Sequence, residues 1–309
     1  MVKIALAGGT GQVAREVIDA LLARNKHEPP TTEDGTAEVT FLTVDYNDTD
    51  SLAKALLGVH TVLSFIQVHS DPQNKSQKNL IDATIVAGAT RFAPSEWAGS
   101  TLTDMSLHAG KAEIREYLEK VNEKGKVLEY TLFQPGLFLN YLAAPYQTAK
   151  YVAPLQTMFD YQGRRGIVID EHDPIFTFTT VEDLAAIVAN AIEYDGEWPV
   201  IGGISGNRVP ISKIIEIGEK VRGGSFIIDH VNVDDLQIGK LKMSWMPAEG
   251  HRSFNQEQAA KIIEQAYIGI LLSSTKGAWD VSNDFNQLFP DYEFTQIEAY
   301  LNDVWKGKP

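Results

Sequence analysis

Apolar positions open the chain as a short run, Ile4–Ala7, that stops at glycines and then return as Val13, Val17, Ile18, Leu21 and Leu22, the spacing of one helical face. This predicts a strand, a tight turn and an amphipathic helix. The alternation continues with a predicted strand at 39–44, a helix at 51–57 ending at Gly58, a strand at 61–66, and a helix at 77–87 closed by Gly88. A strand at 91–93, a helix around 111–122 and a strand at 128–133 follow. Strands separated by helices need crossover connections, so the expected architecture is α/β, a doubly wound parallel sheet covered on both faces.

After Pro135 and Gly136 the rhythm loosens and aromatic residues accumulate: Phe138, Tyr141, Tyr146, Tyr151, Phe159 and Tyr161. A smaller, discontinuous C-terminal substrate-binding region is expected at 146–309, behind a first domain at 1–145. A strand at 175–178 and a helix at 182–191 read as returning to the first sheet, which places the returning part near 175–203. Further helices are predicted at 211–221, 256–272 and 295–304, with no internal repeat.

Composition narrows the classes. The 309 residues are 44% apolar, enough for a substantial core. With 27 basic against 41 acidic residues, the formal charge of -14 repels a phosphate backbone, so nucleic acid is not an expected partner. Cysteine is absent, removing disulfides, thiolate catalysis and cysteine metal sites, which suits a reducing compartment. No secretory pattern precedes the first strand and no run of about 18 apolar residues offers a membrane span, so a cytoplasmic protein without a membrane partner is expected. The seven histidines show no HxH or HExxH spacing, and no metal is expected.

Gly8, Gly9, Thr10 and Gly11 fill the first turn, and Gly8, Gly11 and Ala14 form GxxGxxA directly between strand and helix. In that context the pattern reads as the phosphate-binding turn of a Rossmann-type unit. Gly8 permits the tight turn, Gly11 lets the backbone approach a pyrophosphate, and the helix start at Gln12 and Val13 offers unpaired amides at a positive dipole end. The competing reading is a strand-helix turn that merely needs glycine.

The run VKIALAGGTGQVAREVIDALL, the segment RFAPSEW at 91–97, AGKAEIREYLEK at 109–120 and LFQPGLFLN at 132–140 together resemble the NmrA-like and isoflavone reductase-like group of atypical short-chain dehydrogenases, particularly its fungal members. The resemblance spans essentially the whole chain. It implies a Rossmann domain, NADP(H) as cofactor, a pocket between the domains, and reduction of small phenolic or polyketide-like molecules in secondary metabolism. Lys111 matches the active lysine of that group. A lysine partly desolvated beside a cofactor exchanges protons near neutrality or orients a substrate oxygen; without the resemblance it reads as a solvated helix lysine. The usual short-chain dehydrogenase tyrosine is missing, since Leu107 stands four residues before Lys111, and His108, one turn before it, is the second catalytic candidate. Ser95 and Glu96 lie at a strand's C-terminal edge, where open α/β sheets bind ligands, Ser95 toward cofactor and Glu96 toward substrate; capping is the alternative. Phe133 and Pro135 match the nicotinamide side, and Phe138, Asn140 and Tyr141 the substrate side, with packing as the alternative for the apolar members. Phe65 and Gln67 follow the strand where the family places cofactor contacts.

Relatives carry a second strand ending in basic residues for the NADP 2′-phosphate. Here Lys26, His27, Glu28, Pro29, Pro30, Thr31, Thr32, Glu33, Asp34 and Gly35 stand instead, and two prolines without an apolar run do not make an inner strand. If 39–44 is the family's third strand, Asp45 faces the adenine; if it slides into second place, Asp45 binds a ribose 2′-hydroxyl and NAD(H) is favoured. The altered 26–38 segment also admits a chain without cofactor. Three readings therefore compete: an NAD(P)H-dependent reductase of a small-molecule substrate, an NmrA-like regulator sensing NAD(P) through a protein partner, and a redox-neutral isomerase or cyclase on a retained fold.

Overall fold

The computed structural model describes residues 2–25, 39–100, 104–105, 108–245 and 256–309. The 26–38 segment and Leu107, on which two of the expectations above fall, lie outside the described residues. The first unit is strand β1 (Ile4–Ala7), the glycine turn and helix α1 (Gln12–Asn25), followed by α2 (Thr49–Ala55), β2 (Thr61–Ser64), α3 (Lys75–Val86), β3 (Arg91–Ala93), α4 (Ala109–Val121), β4 (Glu129–Tyr130) and β5 (Leu132–Gln134). Local chemistry sets these ends. Asp48 caps α2 by accepting the Ser51 amide at 3.0 Å, and Gly88 follows α3 at φ +73°.

β1, β2, β3 and β4 form one parallel sheet in that order, with Ala7 opposite Ser64 and Leu63 opposite Ala93. Leu52, Ile81, Ile114 and Leu118 from α2, α3 and α4 cover one face together with Val62 and Phe92. On the other, Val17 of α1 packs with Leu63, Ala93 and Phe133. The fold is therefore α/β with a parallel sheet wrapped on both sides, as the alternation predicts.

Beyond β5 come β6 (Leu137–Phe138), β7 (Phe159–Asp160), β8 (Arg165–Ile169), β9 (Ile175–Thr179), α5 (Val181–Glu193), β10 (Ile201–Gly203), β11 (Asn207–Pro210), α6 (Ile211–Arg222), β12 (Ile227–Val231), α7 (Val233–Gln237), α8 (Gln256–Thr275), α9 (Asp284–Leu288) and α10 (Ile297–Trp305). β9 pairs with β11 and β6, and β8 lies between β12 and β7. A second core of Phe159, Tyr161, Phe176, Phe178, Ile214 and Trp305 fills the space around these strands.

Three sequence expectations differ from the structure. The run 39–44 pairs with no described strand: Phe41 is 68% and Leu42 64% exposed, and the run lines, with β1, α1 and α2, a cavity of about 1580 Å3 among the described residues. The predicted strand at 128–133 divides at Thr131, because its amide still donates to Phe92 while the next, Leu132, donates to Val200 on the β10 side. Finally, the strand at 175–178 does not return to the first sheet. Burial of Phe176 and Phe178 in the second core holds it there, and it is β10 that runs parallel to β5, while α5 packs on the α1 side.

Candidate active site

The turn after β1 is open. Gly8 takes φ +75°, and a Cβ there would lie 3.1 Å from the Phe65 carbonyl carbon and oxygen, so the close approach of turn to β2 needs glycine. Gly11 donates to Gly8 O at 2.9 Å, and the first helical bond, Arg15 N–H to Gly11 O at 3.0 Å, leaves the Gln12 and Val13 amides ahead of the ladder. Thr10, Gly11 and Gln12 are exposed. Gln12 presents its backbone there, since its side chain accepts the Ala153 amide at 3.2 Å. Exposed amides at a helix start fit a dinucleotide diphosphate.

At the ends of β2 and β3, Phe65 stacks on Trp97 with centroids 4.4 Å apart and planes 4° from parallel, and Trp97 continues onto Phe133 at 5.4 Å. Trp97 is fixed by its indole N–H on Ser64 O at 2.8 Å and sits at φ +40°. Pro135, just past β5, is buried. Gln67 is exposed, and its carbonyl accepts both the amide and hydroxyl of Ser70.

Lys111 lies in the first turn of α4, on the face that carries Ile114 and Leu118, and is 7% exposed. Its Nζ donates to the Glu96 carbonyl oxygen. Burial brings its pKa down to about 8; the Glu96 carboxylate opposes and the Arg115 guanidinium reinforces that fall. The Glu96 carboxylate is 1% exposed and takes Arg115 Nε at 3.0 Å and Nη2 at 2.5 Å, while Arg115 Nη1 donates to Ser100 O at 2.7 Å. His108 is desolvated beside Lys111 and its pKa is lowered to about 3; its Nδ1 has no hydrogen-bond partner. At neutral pH His108 is uncharged, so Lys111 is the group of this pair poised to exchange a proton.

A family model described as NmrA-like family matches residues 2–301. The chain belongs to the NmrA-like family. Over its full length it is 25% identical to Oxidoreductase swnN of Metarhizium robertsii, covering 98% of that protein. A solved structure described as AtPrR2 with NADP+ and (+)pinoresinol superposes with a TM-score of 0.68 at 19% identity over 98% of each chain. An Escherichia coli structure described as NADPH-dependent quinone oxidoreductase QOR2 with NADPH gives a TM-score of 0.66 at 19% identity, over 98% of this chain and all of that one. These likenesses place the fold among Rossmann-type proteins.

In this NmrA-like chain the residues assigned to the substrate side divide. Phe138 packs against Tyr141 with centroids 5.5 Å apart, and burial raises the Tyr141 phenol to about 12, so it stays protonated. Asn140 is already engaged: Oδ1 accepts the Val181 amide at 2.9 Å and Nδ2 donates to Thr148 and Glu182. Asn140 thereby ties the start of α5 to Thr148, and the Glu96 carboxylate is closed in by Arg115. Asp45 is exposed and its pKa is lowered by the backbone and side-chain amides of Asn47, so it is anionic near neutrality. Ser95 offers its amide to Gln77 Oε1 at 2.8 Å. Trp97, Arg115 and Gln77 were not singled out from sequence. Trp97 lies within the family segment at 91–97, and Arg115 stands one turn after Lys111, signals that could have found these two; no sequence signal marks Gln77.

Proposed function

We propose that the chain is an oxidoreductase that uses NADP(H) to reduce a small aromatic or polyketide-like molecule. The observation that carries this reading is the juxtaposition, at one sheet edge, of an open glycine turn with unpaired helix amides and a buried lysine tuned to about pH 8. Relatives named as oxidoreductases support the reaction class, and superposing structures with NADP+ or NADPH bound support the cofactor.

The Gln12 and Val13 amides and the α1 dipole would hold the diphosphate, with the exposed Thr10 and Gly11 beside them. Phe65 and Trp97 supply a flat wall on the nicotinamide side, with Phe133 and Pro135 behind it. When bound, NADPH supplies a hydride to an acceptor carbon. Lys111, as ammonium, gives its proton to the oxygen that gains the electron pair and is left as a neutral amine, returned to the ammonium by solvent before the next turnover. Glu96 holds Nζ through its carbonyl, and Arg115 holds Glu96.

One observation favours NAD(H) instead: an anionic Asp45 suits a ribose 2′-hydroxyl and repels a 2′-phosphate. NADPH and NADH oxidation with 1,4-naphthoquinone as a probe acceptor tests both. Turnover with NADPH, lowered about 100-fold in Lys111→Ala while NADPH affinity stays within about twofold, supports the reading. Full activity of Lys111→Ala contradicts it.

A further inference from the structure

The stretch between β2 and α3 holds two consecutive non-glycine residues in left-handed backbone, Gln73 at φ +61° and Asn74 at φ +54°. Such residues cost on the order of 1 kcal/mol each and persist where their surroundings over-determine them. Asn74 is 3% exposed and precedes α3, yet its side chain makes no capping bond to that helix. It reaches across to α4 instead. Nδ2 donates to the Gly110 carbonyl at 3.1 Å and to the Glu113 carboxylate. Gly110 is fitted against it: a Cβ there would sit 2.5 Å from Asn74 Oδ1 and 2.8 Å from Val68 Cγ1.

The job of capping α3 falls to Asp71, which accepts the Ser76 and Gln77 amides at 2.8 and 3.0 Å. That orders the first turn of α3 and places Gln77, 1% exposed, where Oε1 takes the Ser95 amide at 2.8 Å. Gly110 immediately precedes Lys111, and Ser95 immediately precedes Glu96. One helix start thus grips the residue before the proton-carrying amine and the residue before the carbonyl that receives it.

We infer that Asn74 and Gln77 are positioning residues, which together set the span between Lys111 Nζ and the Glu96 carbonyl and so the direction in which the amine meets a reacting oxygen. The inference rests on the proposed role of Lys111. Neither Asn74 nor Gln77 carries charge. The charged or titratable groups that face Lys111 are Glu96, Arg115 and His108, and all three remain when either amide is removed. A change in Lys111 titration then reports altered geometry and burial.

Asn74→Gly is the cleanest probe, because glycine keeps the left-handed backbone without strain. The protein without cofactor is acetylated with acetic anhydride across a pH series, and modification of Lys111 is followed by mass spectrometry. The wild-type midpoint is expected near 8, and in Asn74→Gly it is expected to move up toward the ordinary lysine value of 10.5, as the loosened amine gains water. Turnover with 1,4-naphthoquinone is expected to fall about 10-fold in kcat while KM for NADPH stays within about twofold. Gly110→Ala should shift the midpoint the same way, and the double variant should shift it no further than the larger single change, since both act on one contact. If Asn74→Gly does not fold, Gln77→Met releases the Ser95 amide and is read by the same midpoint. An unchanged midpoint in a folded variant overturns the inference. A shifted midpoint beside full activity of Lys111→Ala leaves the clamp standing and removes the proton-donor role.

Discussion

At the scale of single residues, the site is governed by how burial and pairing divide four ionisable groups. Burial brings the Lys111 pKa down to about 8, and in the proposed role of proton donor the amine must be charged. The rate of reduction is therefore expected to hold below pH 8 and fall about 10-fold per unit above it, with the reverse oxidation rising over the same range, as a pH profile of kcat will show. Stability moves the other way. The folded lysine loses its proton near 8 and the unfolded one near 10.5, so between those values the unfolded state binds more protons and stability rises with pH. Arg115→Ala leaves the 1% exposed Glu96 carboxylate without its cation and should cost about 3–5 kcal/mol in urea unfolding. Glu96→Gln, which keeps an acceptor for Arg115 and relieves the buried charge, should cost less than half as much. Lys111 was legible only through the resemblance to a family, since a lysine on an amphipathic helix is ordinarily solvated. Its partners were not legible at all: Gln77 meets Ser95 across 18 residues and Asn74 meets Gly110 across 36, contacts that no local periodicity encodes.

At the scale of elements, strands and helices followed the apolar spacing wherever one face packs on the sheet. α1 shows what the spacing omits. Its apolar stripe was readable, but its polar side binds the second region: Glu16, 7% exposed, accepts the Tyr151 and Val152 amides at 2.6 and 3.1 Å, and Arg15 lies 3.9 Å over the Tyr151 ring. Glu16→Ala leaves two amides without partners and should lower stability by about 2 kcal/mol, measured by denaturant midpoint, without changing the glycine turn. The 39–44 run carries the composition of a strand but pairs with no described strand, and propensity alone does not form a strand. A short apolar strand does not state its partner, and β9 lies with β11 and β6 rather than in the first sheet. Phe176 and Phe178 find their neighbours in Phe159 and Trp279 instead.

At the scale of the whole molecule, the α/β architecture was legible in the strand-helix alternation, and the glycine pattern supplied the candidate site, because crossover connections and ligand binding at strand ends leave few arrangements. The acidic balance adds a consequence for the cofactor: a chain at -14 repels a dinucleotide at long range, so the local helix amides must overcome that field, and binding should strengthen with added salt as the repulsion is screened. The central claim is that those amides hold a diphosphate, and calorimetric titration of the wild-type chain and of Gly8→Val with NADPH and NADH tests it most directly. The account predicts wild-type binding of one nicotinamide dinucleotide per chain with Kd on the order of 10 µM or tighter, and loss of at least about 10-fold in Gly8→Val, whose side chain suits neither φ +75° nor the Phe65 carbonyl. No binding of either dinucleotide to the folded wild-type chain, or equal binding by Gly8→Val, would contradict it.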